Sequence, residues 1–203
     1  MKAIHRLCAT ALLGLLCMSH AYASGSVVDY IEPKNANNPP PAVPLDTFAR
    51  FEIRPIAMDA PYAGQEGNEA AKTSIQANLD LRAQPLLAQW NAKPAGSDAK
   101  TLRIEPTIRH IRFVSGGKRF WGGAFAGGSA VLMTVKLTDT ATGQVIAEPE
   151  FYQHANKMGA AWSFGATDKA MLVRIGAMVA DYLQKNYGEA VGGSTSLATD
   201  VKF

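Results

Sequence analysis

Residues 131–152 constrain the fold most tightly. Val131, Met133, Val135 and Leu137 alternate with Leu132, Thr134, Lys136 and Thr138; Asp139-Thr140-Ala141-Thr142-Gly143 follows, and residues 145–152 return. A period of two on both sides of a turn ending in glycine is the pattern of a β-hairpin, with Gly143 free to take a positive φ. Two strands alone are marginal in water, so the rest of the chain must supply strand neighbours and a cover for the apolar face.

Those partners are visible on either side. Phe51-Glu52-Ile53-Arg54-Pro55-Ile56 opens as an alternating strand whose proline marks it as an edge or as ending early. Residues 66–92 have a helical period, with Ile75, Leu79, Ala83, Leu86 and Trp90 on one face, and Pro85 is expected to kink or split that helix. Residues 101–114 form a long strand with Leu102, Ile104 and Ile108 on one face and Arg103, Glu105, Thr107 and Arg109 on the other. The apolar phase then slips to Ile111 and Phe113, which predicts a bulge near Arg109-His110. The last element is a helix over residues 168–187, with Thr167 as N-cap, Leu172, Ile175, Val179 and Tyr182 as its stripe, and Gly188 as its stop. The order strand-helix-strand-strand-strand-helix predicts an α+β two-layer sandwich: a small mixed or antiparallel sheet with two helices on one face. The sequence has no internal repeat.

The first 23 residues read as an export signal. Lys2 and Arg6 precede an apolar run from Leu7 to Met18, and Ala21-Tyr22-Ala23 has the small-x-small form of a cleavage site. The run is too short for a membrane span, which needs about 20 residues. Cleavage after Ala23 would leave a protein working in the periplasm or at the outer membrane. Lipidation at Cys17 is the alternative, but Gly14-Leu15-Leu16 lacks the small residue wanted just before the cysteine. Cys8 and Cys17 are the only cysteines, so disulfides, thiol catalysis and thiolate metal sites are excluded from the exported chain. Of 20 Lys and Arg against 17 Asp and Glu, Lys2 and Arg6 belong to the leader. The exported chain is therefore nearly neutral, which argues against a nucleic-acid partner. Residues 24–47, with Pro33-Lys34-Asn35-Ala36-Asn37-Asn38-Pro39-Pro40-Pro41, read as a Pro/Asn-rich linker, residues 48–187 as the domain, and residues 188–203 as a flexible tail.

Ser115 to Ala130 is compositionally unlike the rest. Gly116, Gly117, Gly122, Gly123, Gly127 and Gly128 are interleaved with Lys118, Arg119, Phe120, Trp121 and Phe125, and the run leads straight into the hairpin. Arg119, the Gly122–Gly128 run and the strand-turn sequence Val135-Lys136-Leu137-Thr138-Asp139-Thr140-Ala141-Thr142-Gly143 together resemble a family of small bacterial envelope proteins. Many members are lipoproteins, and the family is known only as a domain of unknown function. The resemblance implies an envelope location and a small α+β domain, and it implies no established activity. This chain departs from that family in lacking a credible lipidation cysteine.

Several kinds of chemistry are open to these residues. Backbone N–H groups of the glycine run, with Lys118 and Arg119, could cradle an anion, but neither nucleotide-binding glycine motif is present. Ser115 and Lys118 have Ser-x-x-Lys spacing, yet two intervening glycines oppose the helical turn that chemistry requires. His110 and His154, with Glu148 or Glu150, could converge across the sheet, but the spacing shows no set of three metal ligands. Arg103, Arg109, Arg112, Lys118 and Arg119 form a basic cluster suited to acidic polymers or lipid headgroups. The glycines can also serve loop geometry alone.

The reading that best uses the residues is a non-enzymatic exported binding domain with no cofactor and no metal. Its contact with an envelope protein or surface component is expected through Lys118, Arg119, Phe120, Trp121, Gly122, Gly123 and Phe125. The alternatives are a periplasmic enzyme with a pocket around His110 and His154, and an oligomeric outer-membrane component inserting its glycine-aromatic segment.

Overall fold

The computed structural model describes residues 32–113, 129–155 and 166–197. In chain order the strands are β1 (Asn37–Asn38), β2 (Arg50–Ile53), β3 (Ala57–Met58), β4 (Thr101–Arg112), β5 (Ala130–Asp139), β6 (Val145–Ala147), β7 (Glu150–His154) and β8 (Gly193–Ser194). The helices are α1 (Glu66–Asn91) and α2 (Ala166–Lys185), with one 3-10 turn at Leu45–Thr47. The main sheet runs β2-β4-β5-β6, with β3 following β2 along β4 and β7 following β6 along β5. Strands β2 and β3 lie parallel to β4, and the rest pair antiparallel. The architecture is α+β, a mixed sheet with two helices, as the element order implied.

Both helices cover one face. Leu102, Ile104, Ile108, Ile111, Val131, Met133, Val135, Leu137 and Phe151 of the sheet join Ile75, Leu79, Met171, Ile175, Val179 and Leu183 in one buried cluster. Each such side chain contributes about 1.5–3 kcal/mol by leaving water. On α1 the buried residues Ala71, Ile75, Leu79, Ala83 and Leu87 recur in exact four-residue steps, with Trp90 following. Leu87 therefore holds the core position expected for Leu86, which packs at the flank.

Pro85 lies inside α1 without splitting it. It sits on the exposed side, and Leu81, whose carbonyl loses its N–H partner, is 72% exposed, so water can take that bond. Helix α2 begins at Ala166, which places Thr167 inside the first turn rather than at the N-cap, and it ends at Lys185, short of Tyr187.

The register of β4 against β5 shifts between Ile108 and His110, where the apolar phase slips in the sequence. Pro106 is more surprising, because β4 is a central strand and proline cannot donate to a ladder. Its register partner Val135 donates its N–H away from β4, to the Pro149 carbonyl at 3.0 Å. This is a non-hydrogen-bonded pair, so the ring nitrogen of Pro106 faces the other neighbour. On that side the edge is interrupted between β2 and β3. Ile53 pairs with Ile104 and Ala57 with Thr107, so the edge carries one residue more than β4 across the gap. Arg54 and Asp59 resume donation to the Ile104 and Ile108 carbonyls at 2.9 and 3.0 Å, and the Ile56 N–H turns to Gln76 Oε1 on α1 at 2.8 Å. Pro55 and Pro106 thus face one bulge, where neither needs a donor.

The segments expected to be linker and tail are ordered where described, and they pair with each other. Strand β1 pairs antiparallel with β8, and Ser196 forms a parallel bridge to Tyr152 of β7. Their hold is polar, which is why no apolar period announced it. Asn186, fully buried, donates from Nδ2 to the Tyr182 and Gly192 carbonyls at 2.8 and 3.0 Å, and its Oδ1 accepts the Val191 and Gly192 N–H groups at 2.9 and 2.8 Å. Tyr182 donates its hydroxyl proton to the Pro39 carbonyl at 3.1 Å, and burial pushes its phenol up to about 12. At the hairpin turn Gly143 has a φ of 74°, as that turn requires. Asp139 accepts the Ala141 N–H at 2.9 Å, and this backbone bond holds its carboxyl below the usual range.

Candidate functional site

The face of the sheet away from the helices divides into two halves. Toward the hairpin turn it is charged. Glu52 of β2 receives Arg103 of β4 at 2.5 Å and Arg54 at 3.7 Å, and Glu105 stands in register with Lys136. Toward the other end uncharged residues predominate, with Arg112 in the last row and Glu150 opposite Thr134. Thr107 faces Thr134, His110 faces Leu132, Leu132 faces Tyr152, and Arg112, Ala130 and His154 form the last row. Leu132 is only 7% exposed although neither described helix lies on its face, and it is flanked in register by His110 and Tyr152.

Of the basic cluster expected from sequence, Arg103 and Arg109 pair with acids, and Lys118 and Arg119 lie outside the described residues. Arg103 pairs with Glu52, which also keeps its guanidinium protonated more firmly than usual. Arg109 sits in the bulge, out of the Arg103 row, and turns to Asp59 at 3.1 Å. Such half-exposed pairs contribute little to stability, about 0–1 kcal/mol each, but each sets an acid beside its cation.

The two histidines stay apart. Strand β5 lies between them, with His110 opposite Leu132 and His154 opposite Ala130. Two strand spacings already separate them by about 10 Å. The His110 Nδ1 shares a hydrogen bond of 2.5 Å with the hydroxyl of Tyr62, whose phenol is pushed up first by burial and then by Asp59. His154 stacks on Tyr152 with ring centroids 5.8 Å apart. The Glu150 carboxylate accepts the Lys34 N–H at 2.9 Å and faces its ammonium at 3.6 Å. No group of three potential metal ligands occurs among the described residues.

Both lateral edges of the sheet are closed by side-chain amides. On β7, Asn38 Nδ2 donates to the Glu150 carbonyl at 2.8 Å, and the Glu150 N–H donates to Asn38 Oδ1 at 2.7 Å. On β2, Asn91 Nδ2 donates to the Phe51 carbonyl at 2.9 Å, and the Phe51 N–H donates to Asn91 Oδ1 at 2.8 Å. Each amide satisfies one strand residue's outward pair just as a neighbouring strand would, a means of blunting edges against unwanted pairing. Nothing in the sequence singles out these asparagines, since one lies in a run read as linker and the other ends a helix.

Lys118, Arg119, Phe120, Trp121, Gly122, Gly123 and Phe125 lie outside the described residues, as do Ser115, the leader and both cysteines. The residues that anchor that stretch are described. It joins Phe113 to Ser129, and the last register pair before it is Arg112 with Ala130. Its two ends therefore leave adjacent strands, β4 and β5, at the end of the sheet away from the hairpin turn. No helix of the described residues is long and apolar enough to cross a membrane.

No family model and no curated protein matches the chain. Among solved structures it is similar to the PelC dodecamer from Paraburkholderia phytofirmans, with 13% identity, a TM-score of 0.36, and coverage of 67% of this chain and 89% of that one. It is also similar to protein XCC0632 from Xanthomonas campestris, a DUF330 protein (14% identity, TM-score 0.37, 75% of this chain and 93% of that one). A third is a minor lipoprotein from Acinetobacter baumannii (10% identity, TM-score 0.34, 69% and 95%). Likeness at this level carries no activity, partner or location across.

Proposed function

We propose that this chain is an exported envelope protein that acts by binding another protein or a surface component. The contact is the glycine-aromatic segment, through Lys118, Arg119, Phe120, Trp121, Gly122, Gly123 and Phe125. The observation that carries this reading is the Arg112–Ala130 register pair, which sets both ends of the segment side by side at one end of the sheet. The leader with its Ala21-Tyr22-Ala23 site supports export. Asn38 and Asn91 occupy the outward backbone groups of Glu150 and Phe51, which disfavours strand addition by a partner at those two residues. Trp, Phe and Arg side chains supply the large contact area and planar hydrogen bonding that concentrate binding energy, and neighbouring glycines let a partner approach the backbone closely.

Trp121→Ala tests the reading. Truncating a central aromatic costs about 2 kcal/mol or more of binding, so association with envelope extract is expected to fall by about tenfold or more. The denaturant midpoint of the isolated protein is expected to stay unchanged. Full association by a folded Trp121→Ala chain would remove this segment from the account.

A further inference from the structure

The C-terminal segment sits in a slot with strand β7 on one side and β1 on the other. Tyr152 donates its N–H to the Thr195 carbonyl at 2.8 Å, Thr195 donates to the Ala36 carbonyl at 3.2 Å, and Gln153 Nε2 reaches the Leu197 carbonyl at 3.0 Å. Side chains alternate as in any strand. Gly193, Thr195 and Leu197 face the helices, while Ser194 and Ser196 are exposed. Each inward position has its own size limit. A Cβ on Gly193 would stand 3.3 Å from the Tyr182 ring, Thr195 is 1% exposed, and Leu197 packs against the core.

We infer that the slot between β1 and β7 is a strand-recognition site for the pattern Gly-x-Thr-x-Leu, filled here by the chain's own residues 193–197 and able to take the same segment from a second copy. Main-chain bonds supply the affinity and the alternate side chains the selectivity, as in other strand-addition sites. None of these contacts depends on the covalent path through residues 187–191, so a second copy can make every one of them, which is the condition for strand exchange. The side chain of Asn186 closes that path by bonding to Val191 and Gly192, and it favours the internal arrangement.

Cysteine pairing tests the inference, in the full chain with Cys8 and Cys17 replaced by serine. Tyr152 and Ser196 are bridge partners, so the double variant Tyr152→Cys with Ser196→Cys should form an internal disulfide. The two single variants are then refolded together from denaturant and oxidised. The dimer linked from 152 to 196 is expected at several times its random-pairing yield over the 152–152 and 196–196 dimers. Adding Gly193→Val to the Ser196→Cys chain should return it to the random level. A mixed dimer at the random level, beside a double variant that links internally, would show that the slot admits only its own chain. A double variant that does not link would refute the slot itself.

Discussion

Asn186→Ala is expected to lower the unfolding free energy by about 2–4 kcal/mol, because removing one partner leaves buried N–H and C=O groups at about 1–3 kcal/mol each. The side chain makes four hydrogen bonds: two donated to the Tyr182 and Gly192 carbonyls and two accepted from Val191 and Gly192. Tyr182 keeps a donor in the Asn186 N–H itself at 3.1 Å, but Val191 and Gly192 lose theirs. The total falls below the sum of separate costs because the turn can loosen and admit water. The loss corresponds to a fall in melting temperature of roughly 5–15 °C for a domain of this size. Amide exchange should speed first at residues 191–197, ahead of β4 and β5. A change under about 0.5 kcal/mol, the size of an ordinary surface effect, would mean that the C-terminal strand is held by something else.

Gly176→Ala runs against intrinsic helix preference. Inside a helix alanine is favoured over glycine by about 1 kcal/mol, so an unhindered site would be stabilised. At Gly176 the backbone of α2 packs directly against α1. A Cβ there would stand 2.9 Å from the Leu79 nitrogen, 3.0 Å from the Asn78 carbonyl carbon and 3.1 Å from Asn78 Cβ. Two of these atoms belong to a helical backbone and cannot yield without moving α1. Overpacking of this kind costs about 1–3 kcal/mol, so alanine should destabilise on balance, and Gly176→Leu should cost more than about 3 kcal/mol. Gly67→Ala is the contrast, because its new Cβ would be 3.7 Å from the Phe113 carbonyl oxygen, an ordinary contact. That variant should match the parent or be stabilised by up to about 1 kcal/mol, the full helix preference being reduced in the first turn. Equal denaturant midpoints for Gly176→Ala and Gly67→Ala would contradict the helix packing described above.

These two sites also show where sequence reading runs out. The hairpin, the bulge after Ile108 and the helical cover were legible because burying one face imposes a period of two or 3.6 on the side chains. The face of α1 was read one position off at its end, since Leu86 and Leu87 are both apolar and only the four-residue steps through Ala71, Ile75 and Leu79 choose between them. Residues 37–38 and 193–196 were read as linker and tail because hydrogen bonds to Asn38 and Asn186, which leave no period, hold them in place. The pattern over residues 101–114 reads as one strand despite Pro106, and only the paired interruption at Pro55 shows how β4 accommodates that proline. The histidines could be assigned to strand ends from sequence, but β5 between them follows from pairing order, which no local pattern carries.

Site-specific photo-crosslinking in intact cells tests the central claim most directly. One chain carries a photoreactive aromatic residue in place of Trp121, and another carries it in place of Leu81, which is 72% exposed on α1, the helix covering the opposite face of the sheet. The account predicts a discrete envelope adduct from position 121 and none from position 81. Adducts of equal yield from both positions, or an adduct from position 81 alone, would contradict it.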